Sequence, residues 1–172
     1  EQILADFKKK SGGTGSHPRV MANKEDFDAL RKLYQSDNRY KAYADKYIEQ
    51  ADAYLKEDVC AYKFDDAMRA LTVARRVVAR MRAWGYAYQI TGDKKYVDRA
   101  WLEFQAAATF PDYNTCHIID TGEFVHAFGI GYDWMYEGFT QKQRDFILNT
   151  FYIKAFMSLA VGLYGGITAG SG

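Results

Sequence analysis

The stretch from Asp65 to Thr91, DDAMRALTVARRVVARMRAWGYAYQIT, decides the fold class of this chain. Apolar residues recur in it at alternating spacings of three and four residues, which is the period of one face of an α-helix. The residues that follow this spacing are Ala70, Val73, Val77, Met81, Trp84 and Tyr88. The sequence therefore predicts a long helix from about Asp65 to Thr91, which Gly92 ends.

Helical periods of the same kind lie on both sides of this segment. Two of the predicted helices begin with a capping box, Asn23 with Asp26 and Thr140 with Gln143. The predicted helices run from Asn23 to about Asn38, from about Arg39 to Glu57, from Asp93 to Phe110, from Thr121 to about Glu137 and from Thr140 towards Tyr164.

Three parts can be separated along the chain. Residues 1–22 hold a short predicted lead-in helix and a Gly/Ser loop, residues 23–164 hold the main helices, and residues 165–172 form a Gly-rich tail. No segment has a strand or hairpin pattern, so we expect an all-α fold. Periodicity alone leaves open whether the helical hairpins form a bundle, a solenoid or part of a toroid.

Length and composition limit the possible functions. A chain of 172 residues with 48% hydrophobic residues can bury one core, so one domain or part of a larger domain is expected. A net charge of +1 provides no basic field for nucleic acid, and no segment approaches the roughly twenty apolar residues of a membrane span. Cys60 and Cys116 lack the spacing of a zinc site, so no metal is expected, whereas a disulfide between them stays open.

The segment from Pro111 to Asp120 has no clean helical period and is the chemically richest loop in the chain. His117 lies three residues after Asn114, three before Asp120 and six before Glu123. Since imidazole can act as acid, base or ligand near neutral pH, these side chains could share a binding pocket. The alternative is a hydrogen-bond network that only braces the loop.

Other polar residues have simpler explanations. His17, beside the flexible loop, is expected on the surface, and His126, between two phenylalanines, is expected in the core. Asp133 is expected to pair with an arginine. The long helix carries several arginines, which either form a solvated face with carboxylate partners or, for Arg76 or Arg80, point into a cleft that binds an acidic ligand.

A series of short motifs follows in order along the chain: His17-Pro18-Arg19-Val20, Glu25-Asp26-Phe27, Thr91-Gly92-Asp93, Phe110-Pro111-Asp112-Tyr113-Asn114, His117-Ile118-Ile119-Asp120-Thr121-Gly122-Glu123 and Gly131-Tyr132-Asp133-Trp134. This order resembles the N-terminal toroid of the heparinase II/III and alginate lyase group, over roughly Pro18 to Phe156. The resemblance implies an incomplete (α/α) toroid of antiparallel helical hairpins, and a C-terminal antiparallel β-sheet domain is expected in the complete protein.

The resemblance also implies an activity. Members of this group cleave uronate-containing polysaccharides by β-elimination: the uronate carboxylate is neutralised, a base removes the C5 proton, and an acid protonates the leaving oxygen at C4. Charge that accumulates on the carboxylate is stabilised best by preorganised donors. The implied substrate is thus an acidic polysaccharide or oligosaccharide, the implied location is periplasmic or secreted, and no cofactor is implied.

Site residues carry over from the resemblance only in part. Tyr113 stands where the group has Trp, whereas Asn114, His117 and Asp120 match, and the carry-over supports substrate binding at Asn114 and His117. We expect Tyr113, Glu123 and Arg76 to line the same uronate cleft. The Trp-rich segment that precedes the group's catalytic residues is not found, so no catalytic residue is assigned and the isolated chain is expected to be inactive.

Two other functions stay open at this stage. A non-enzymatic helical module could bind glycans or proteins through grooves lined by its many aromatic residues. A toroid glycoside hydrolase would need two carboxylates across a cleft, whereas Asp120 and Glu123 lie one helical turn apart on one wall.

Overall fold

The computed structural model of the protein describes residues 16–160, within which it contains six α-helices and no strand. The predicted all-α class is therefore confirmed. The predicted lead-in helix over residues 1–10, most of the Gly/Ser loop and the Gly-rich tail lie outside the described residues. The helices are α1 (Lys24–Ser36), α2 (Asn38–Tyr54), α3 (Leu71–Thr91), α4 (Lys95–Ala108), α5 (Ile118–Trp134) and α6 (Gln141–Phe151), with a 3-10 turn at Tyr136–Gly138 and a π-helical segment at Tyr152–Met157.

Both predicted capping boxes are present. The Asp26 amide donates to the Asn23 side chain and the Asn23 amide donates to the Asp26 carboxylate, each over 2.9 Å. Thr140 and Gln143 form the same reciprocal pair before α6. These bonds satisfy amides that a helix start otherwise leaves without a partner, which fixes where both helices begin.

The predicted start of α3 is wrong by six residues, because the helix begins at Leu71 instead of Asp65. The Asp66 carboxylate accepts hydrogen bonds from the amides of Met68 and Arg69, at 2.9 and 2.8 Å. Asp65 accepts from the Thr72 amide at 2.9 Å. Acidic side chains that bond nearby amides offer the backbone an alternative to the helix, so the segment before Leu71 stays a loop.

Helices α3 and α5 run parallel and pack along their length. At their first turns, the Ala70 amide donates to the Asp120 carboxylate over 2.6 Å. At their last turns, the Gln89 side-chain amide donates to the Trp134 carbonyl over 2.5 Å. The helix that joins them in sequence, α4, must therefore return in the opposite direction.

A glycine permits the close approach of these two helices. A Cβ placed on Gly131 of α5 would lie 2.7 Å from the Met81 sulfur of α3. Gly129, two residues away, has no such neighbour within 4 Å. Of these two glycines, only Gly131 lies in close contact with the neighbouring helix.

The segment before α1 is anchored to α5 by a buried carboxylate. Asp133 contacts the His17 Nδ1 atom at 2.6 Å and accepts hydrogen bonds from the amides of Arg19 and Val20, at 2.7 and 2.8 Å. His17 also stacks on Tyr136, with ring centroids 3.8 Å apart. The predicted surface position of His17 is therefore wrong, and Asp133 pairs with a histidine and two amides instead of an arginine side chain.

Candidate functional site

The loop between α4 and α5 holds Asn114 in a left-handed backbone conformation, with φ of 56°. Its side-chain amide donates to the Met68 carbonyl at 2.8 Å and to the Asp120 carboxylate at 2.6 Å. Its backbone amide donates to the Asp112 carboxylate at 2.6 Å, and its carbonyl accepts from the His117 amide at 2.9 Å. Asparagine tolerates this conformation better than most residues, and its side chain joins the loop to the segment before α3.

Asp120 is the centre of this loop site. Its side chain is fully buried and accepts from the Ala70 amide, from Asn114 and from His117 Nδ1, which lies 3.0 Å away. A buried carboxylate is tolerable only when donors surround it, and here three donors do. Asp120 thereby fixes the start of α3, the loop and the imidazole together.

His117 is the member of the network that reaches the surface, with 21% of its side chain exposed. Because a carboxylate only accepts, its contact with Asp120 leaves Nδ1 as the donor and Nε2 as the nitrogen available to a ligand. The sequence left open whether Asn114, His117 and Asp120 form a binding site or a bracing network. The structure shows hydrogen bonds among the three side chains, and His117 is the one of them that solvent reaches.

Glu123 lies one turn further along α5 and is partly exposed. Its carboxylate contacts Arg75 of α3 at 3.3 Å and lies 4.0 Å from the Nδ1 atom of His126. Arg75 is 64% exposed, and the sequence did not single it out because only the parallel packing of α3 and α5 brings it to Glu123. His126 is exposed, so its predicted place in the core is wrong.

Arg76 is not part of this group. Its guanidinium pairs with Glu57 at 2.6 Å, on the side of α3 that faces the segment after α2. Arg80 is buried and shares Glu57 at 2.7 Å and Glu103 at 2.8 Å. Both arginines thus have carboxylate partners within the protein, but only Arg76 lies on the solvated face that the alternative explanation expects, because Arg80 is buried.

The pKa of Glu57 reflects its ion pairs with the two arginines. Burial alone would raise the pKa of Glu57, but hydrogen bonds from Arg80 and Arg76 outweigh it and lower the pKa below its ordinary value. The carboxylate therefore stays charged in the folded chain over a wider pH range.

Tyr113 belongs to the core. It is buried against Phe124 and Phe128, with ring centroids at 5.2 and 5.6 Å, and burial raises the pKa of its hydroxyl. In this conformation the ring presents no face to a ligand, so Tyr113 supports the loop from below.

A second tyrosine, which the sequence did not single out, lies beside the loop. The Tyr62 hydroxyl donates to the Asp112 carboxylate at 3.1 Å, and burial followed by this hydrogen bond raises the pKa of Tyr62 to about 12. The hydroxyl therefore keeps its proton at neutral pH and can only donate or accept there. No sequence signal marks it, because residues 58–64, between two predicted helices, have no regular period.

No family model matches the chain, and no curated protein matches it. Among residues 16–160, no three His, Cys, Asp or Glu side chains are grouped so that they could hold a metal ion. None of the described helices is both long and apolar enough to cross a bilayer.

Proposed function

We propose that this chain is the N-terminal helical part of a polysaccharide lyase that cleaves a uronate-containing polysaccharide by β-elimination, and that its helices are hairpins of an incomplete (α/α) toroid. The packing of the helices and the order of the sequence motifs support this proposal. Helices α3 and α5 run parallel with α4 returning between them, which is how successive hairpins of a toroid repeat. The motif order described above supports the family.

The observation that carries the functional proposal is the placement of His117. Its Nε2 is available to a ligand at the end of the molecule where α3 and α5 both begin, and the exposed Arg75 contacts Glu123, one turn further along α5. Nε2 of His117 can accept a hydrogen bond from a sugar hydroxyl, whereas the Arg75 guanidinium and two helix starts stabilise the negative charge of an acidic sugar. In the proposed complex His117 and Arg75 bind substrate, and Asn114 and Asp120 position His117.

The catalytic base and acid are not assigned to this chain, so we propose that it binds substrate and does not turn it over by itself. Since the substrate is a large polymer outside the cytoplasm, we also propose a periplasmic or secreted location.

The test is a turnover assay of this chain and of the longest protein that contains it, on heparan sulfate and on alginate. Unsaturated-uronate absorbance is expected from the longer protein alone. In that protein, His117→Ala is expected to raise KM about tenfold, the effect of losing one hydrogen bond to the substrate. Cys116→Ala, at the exposed neighbouring position, is the matched control and should leave KM unchanged.

Absence of unsaturated product from both proteins on every uronate polymer would overturn the lyase proposal. Saturable binding without turnover by the longer protein would favour the binding module instead. A toroid glycoside hydrolase is less well supported, because Asp120 is buried beneath three donors and cannot reach a glycosidic oxygen.

A further inference from the structure

A groove of about 450 Å³ lies between α1, α2 and α3 and shares no lining residue with the loop site. We call it the tyrosine groove, because five of its eleven lining residues are tyrosines. Its volume falls within the range of about 300–1,000 Å³ that is usual for small-molecule sites. The residues that matter here are Tyr40, Tyr43, Tyr47, Tyr54, Tyr86 and Arg82.

The rings form a continuous aromatic surface. Tyr43 and Tyr47 have ring centroids 5.2 Å apart, and Tyr47 and Tyr86 have centroids 5.7 Å apart. Tyr43 and Tyr47 are nevertheless 59% and 43% exposed. Aromatic rings usually gain stability from burial, so two neighbouring exposed rings beside a cavity offer stacking area that the protein does not use itself.

The hydroxyl groups of the groove are arranged in pairs. Those of Tyr40 and Tyr86 are 2.8 Å apart, and the Tyr43 hydroxyl donates to that of Tyr47 over 3.4 Å. Each such pair uses one hydrogen internally, so the second hydrogen and several lone pairs are left for a ligand. Burial, and then the bond with Tyr40, raises the pKa of Tyr86, so its hydroxyl keeps its hydrogen at neutral pH.

Arg82 supplies the charge of the groove. Of the four arginines on α3, Arg75, Arg76 and Arg80 each pair with a carboxylate, whereas Arg82 forms no ion pair with any described residue. Among the described residues, it is the only charged side chain that lines the groove. An exposed guanidinium without a partner, among neutral hydroxyls, is complementary to an anion.

We propose that the tyrosine groove binds one acidic sugar residue of an oligosaccharide, with the sugar ring stacked on the tyrosine rings and the sugar carboxylate bound to Arg82. The C–H face of a sugar matches the negative face of an aromatic ring, and its hydroxyl groups match the tyrosine pairs. A groove for an amphipathic helix would be lined by long aliphatic side chains, and here Leu30 alone is of that kind. Binding in the groove involves no chemical reaction. It would be a second binding site, separate from the site of the proposed lyase function.

The test is calorimetric titration of the whole chain with trimannuronate and with neutral mannotriose. Trimannuronate is expected to bind about tenfold more tightly, because it alone pairs with Arg82. Arg82→Met should bring the affinity for trimannuronate down to that for mannotriose. Tyr47→Ala should weaken the binding of both sugars, and since Tyr47 is partly exposed the variant is expected to fold.

Arg39→Met is the matched control, because Arg39 is an exposed arginine on α2 that does not line the groove. It should leave both affinities unchanged. Failure of both sugars to bind at millimolar concentration, or an unchanged preference for trimannuronate in Arg82→Met, would overturn the proposal. So would tight binding of triglutamate without binding of sugar. Each result is independent of lyase turnover, which Arg82→Met is expected to leave intact in the longer protein.

Discussion

A single buried carboxylate holds three parts of the chain together at the proposed substrate end. Asp120 accepts hydrogen bonds from Ala70, Asn114 and His117, which lie before α3, in the loop and at the start of α5. Among residues 16–160, no lysine or arginine side chain lies within ion-pair distance of it. The buried negative charge of Asp120 is therefore stabilised only while all of its hydrogen-bond donors are in place.

Asp120→Ala is expected to lower the free energy of unfolding by about 3 kcal/mol, because it leaves buried donors without an acceptor. Urea unfolding followed by circular dichroism measures the change. Asp145→Ala is the control: Asp145 is exposed and its side chain bonds only that of Gln141, so the change should stay below about 0.5 kcal/mol. Equal losses in the two variants would show that Asp120 does not have this role.

At the scale of helices, Gly131 lets α3 and α5 pack closely, because it has no side chain. Gly131→Ala would force a Cβ against Met81, and we expect a loss of about 1–3 kcal/mol in the free energy of unfolding. Gly129→Ala on the same helix meets open space, and we expect a gain of about 0.5–1 kcal/mol from helix propensity. Thermal unfolding of both variants gives the two signs, and a loss in both would contradict the packing described.

The ion pairs of Glu57 join α3 to the segment after α2 and make stability depend on pH. Because the pKa of Glu57 is lowered in the folded chain, its contribution is complete above its ordinary value of 4.5 and is lost as pH falls through the lower folded value. The difference in unfolding free energy between the wild type and Glu57→Gln should therefore be largest near neutral pH and shrink in acid. Glu49→Gln, at an exposed position on α2, should show a small difference that does not change with pH.

The helices could be predicted from sequence wherever a local signal fixed them. Capping boxes placed the starts of α1 and α6, and Gly92 placed the end of α3. The start of α3 could not be placed. Asp65 and Asp66 accept hydrogen bonds from backbone amides and so keep the segment before Leu71 in a loop, although its residues would also suit a helix. Whether a polar side chain bonds its own backbone depends on coordinates and not on residue spacing.

The candidate site divides in the same way. Asn114, His117 and Asp120 lie within seven residues, so their proximity followed from the sequence alone. Arg75 meets Glu123 only because α3 and α5 are parallel, and Tyr62 meets Asp112 only because the loop after α2 crosses the loop after α4. The predicted positions of two histidines are both wrong: His17 is buried and His126 is exposed. Neighbouring residues in the sequence do not tell which face of a helix or segment is covered.

The molecule as a whole separates its two cysteines. Cys60 is buried and Cys116 is exposed, and neither forms a disulfide, which answers the question that the sequence left open. Burial, and then the nearby Glu103 carboxylate, raises the pKa of Cys60 and keeps it a thiol.

A thiol reagent such as Ellman's should modify one cysteine per native chain and two in urea, because only a thiolate that the reagent can reach will react. Cys116→Ala should abolish the native reaction, whereas Cys60→Ala should leave it. Rapid modification of both cysteines under native conditions would mean that the segment after α2 opens far more readily than its packing indicates.

The anchor between His17 and Asp133 sets an order of events during synthesis. The two residues are 116 positions apart, so at about 5–20 residues per second the ribosome needs roughly 6–23 s to make the second after the first. Throughout that interval the nascent segment before α1 lacks the Asp133 carboxylate, which its imidazole and amides bond in the native chain. The beginning of the described chain is therefore among the last parts to reach its native position, and until then chaperones and proteases can bind it.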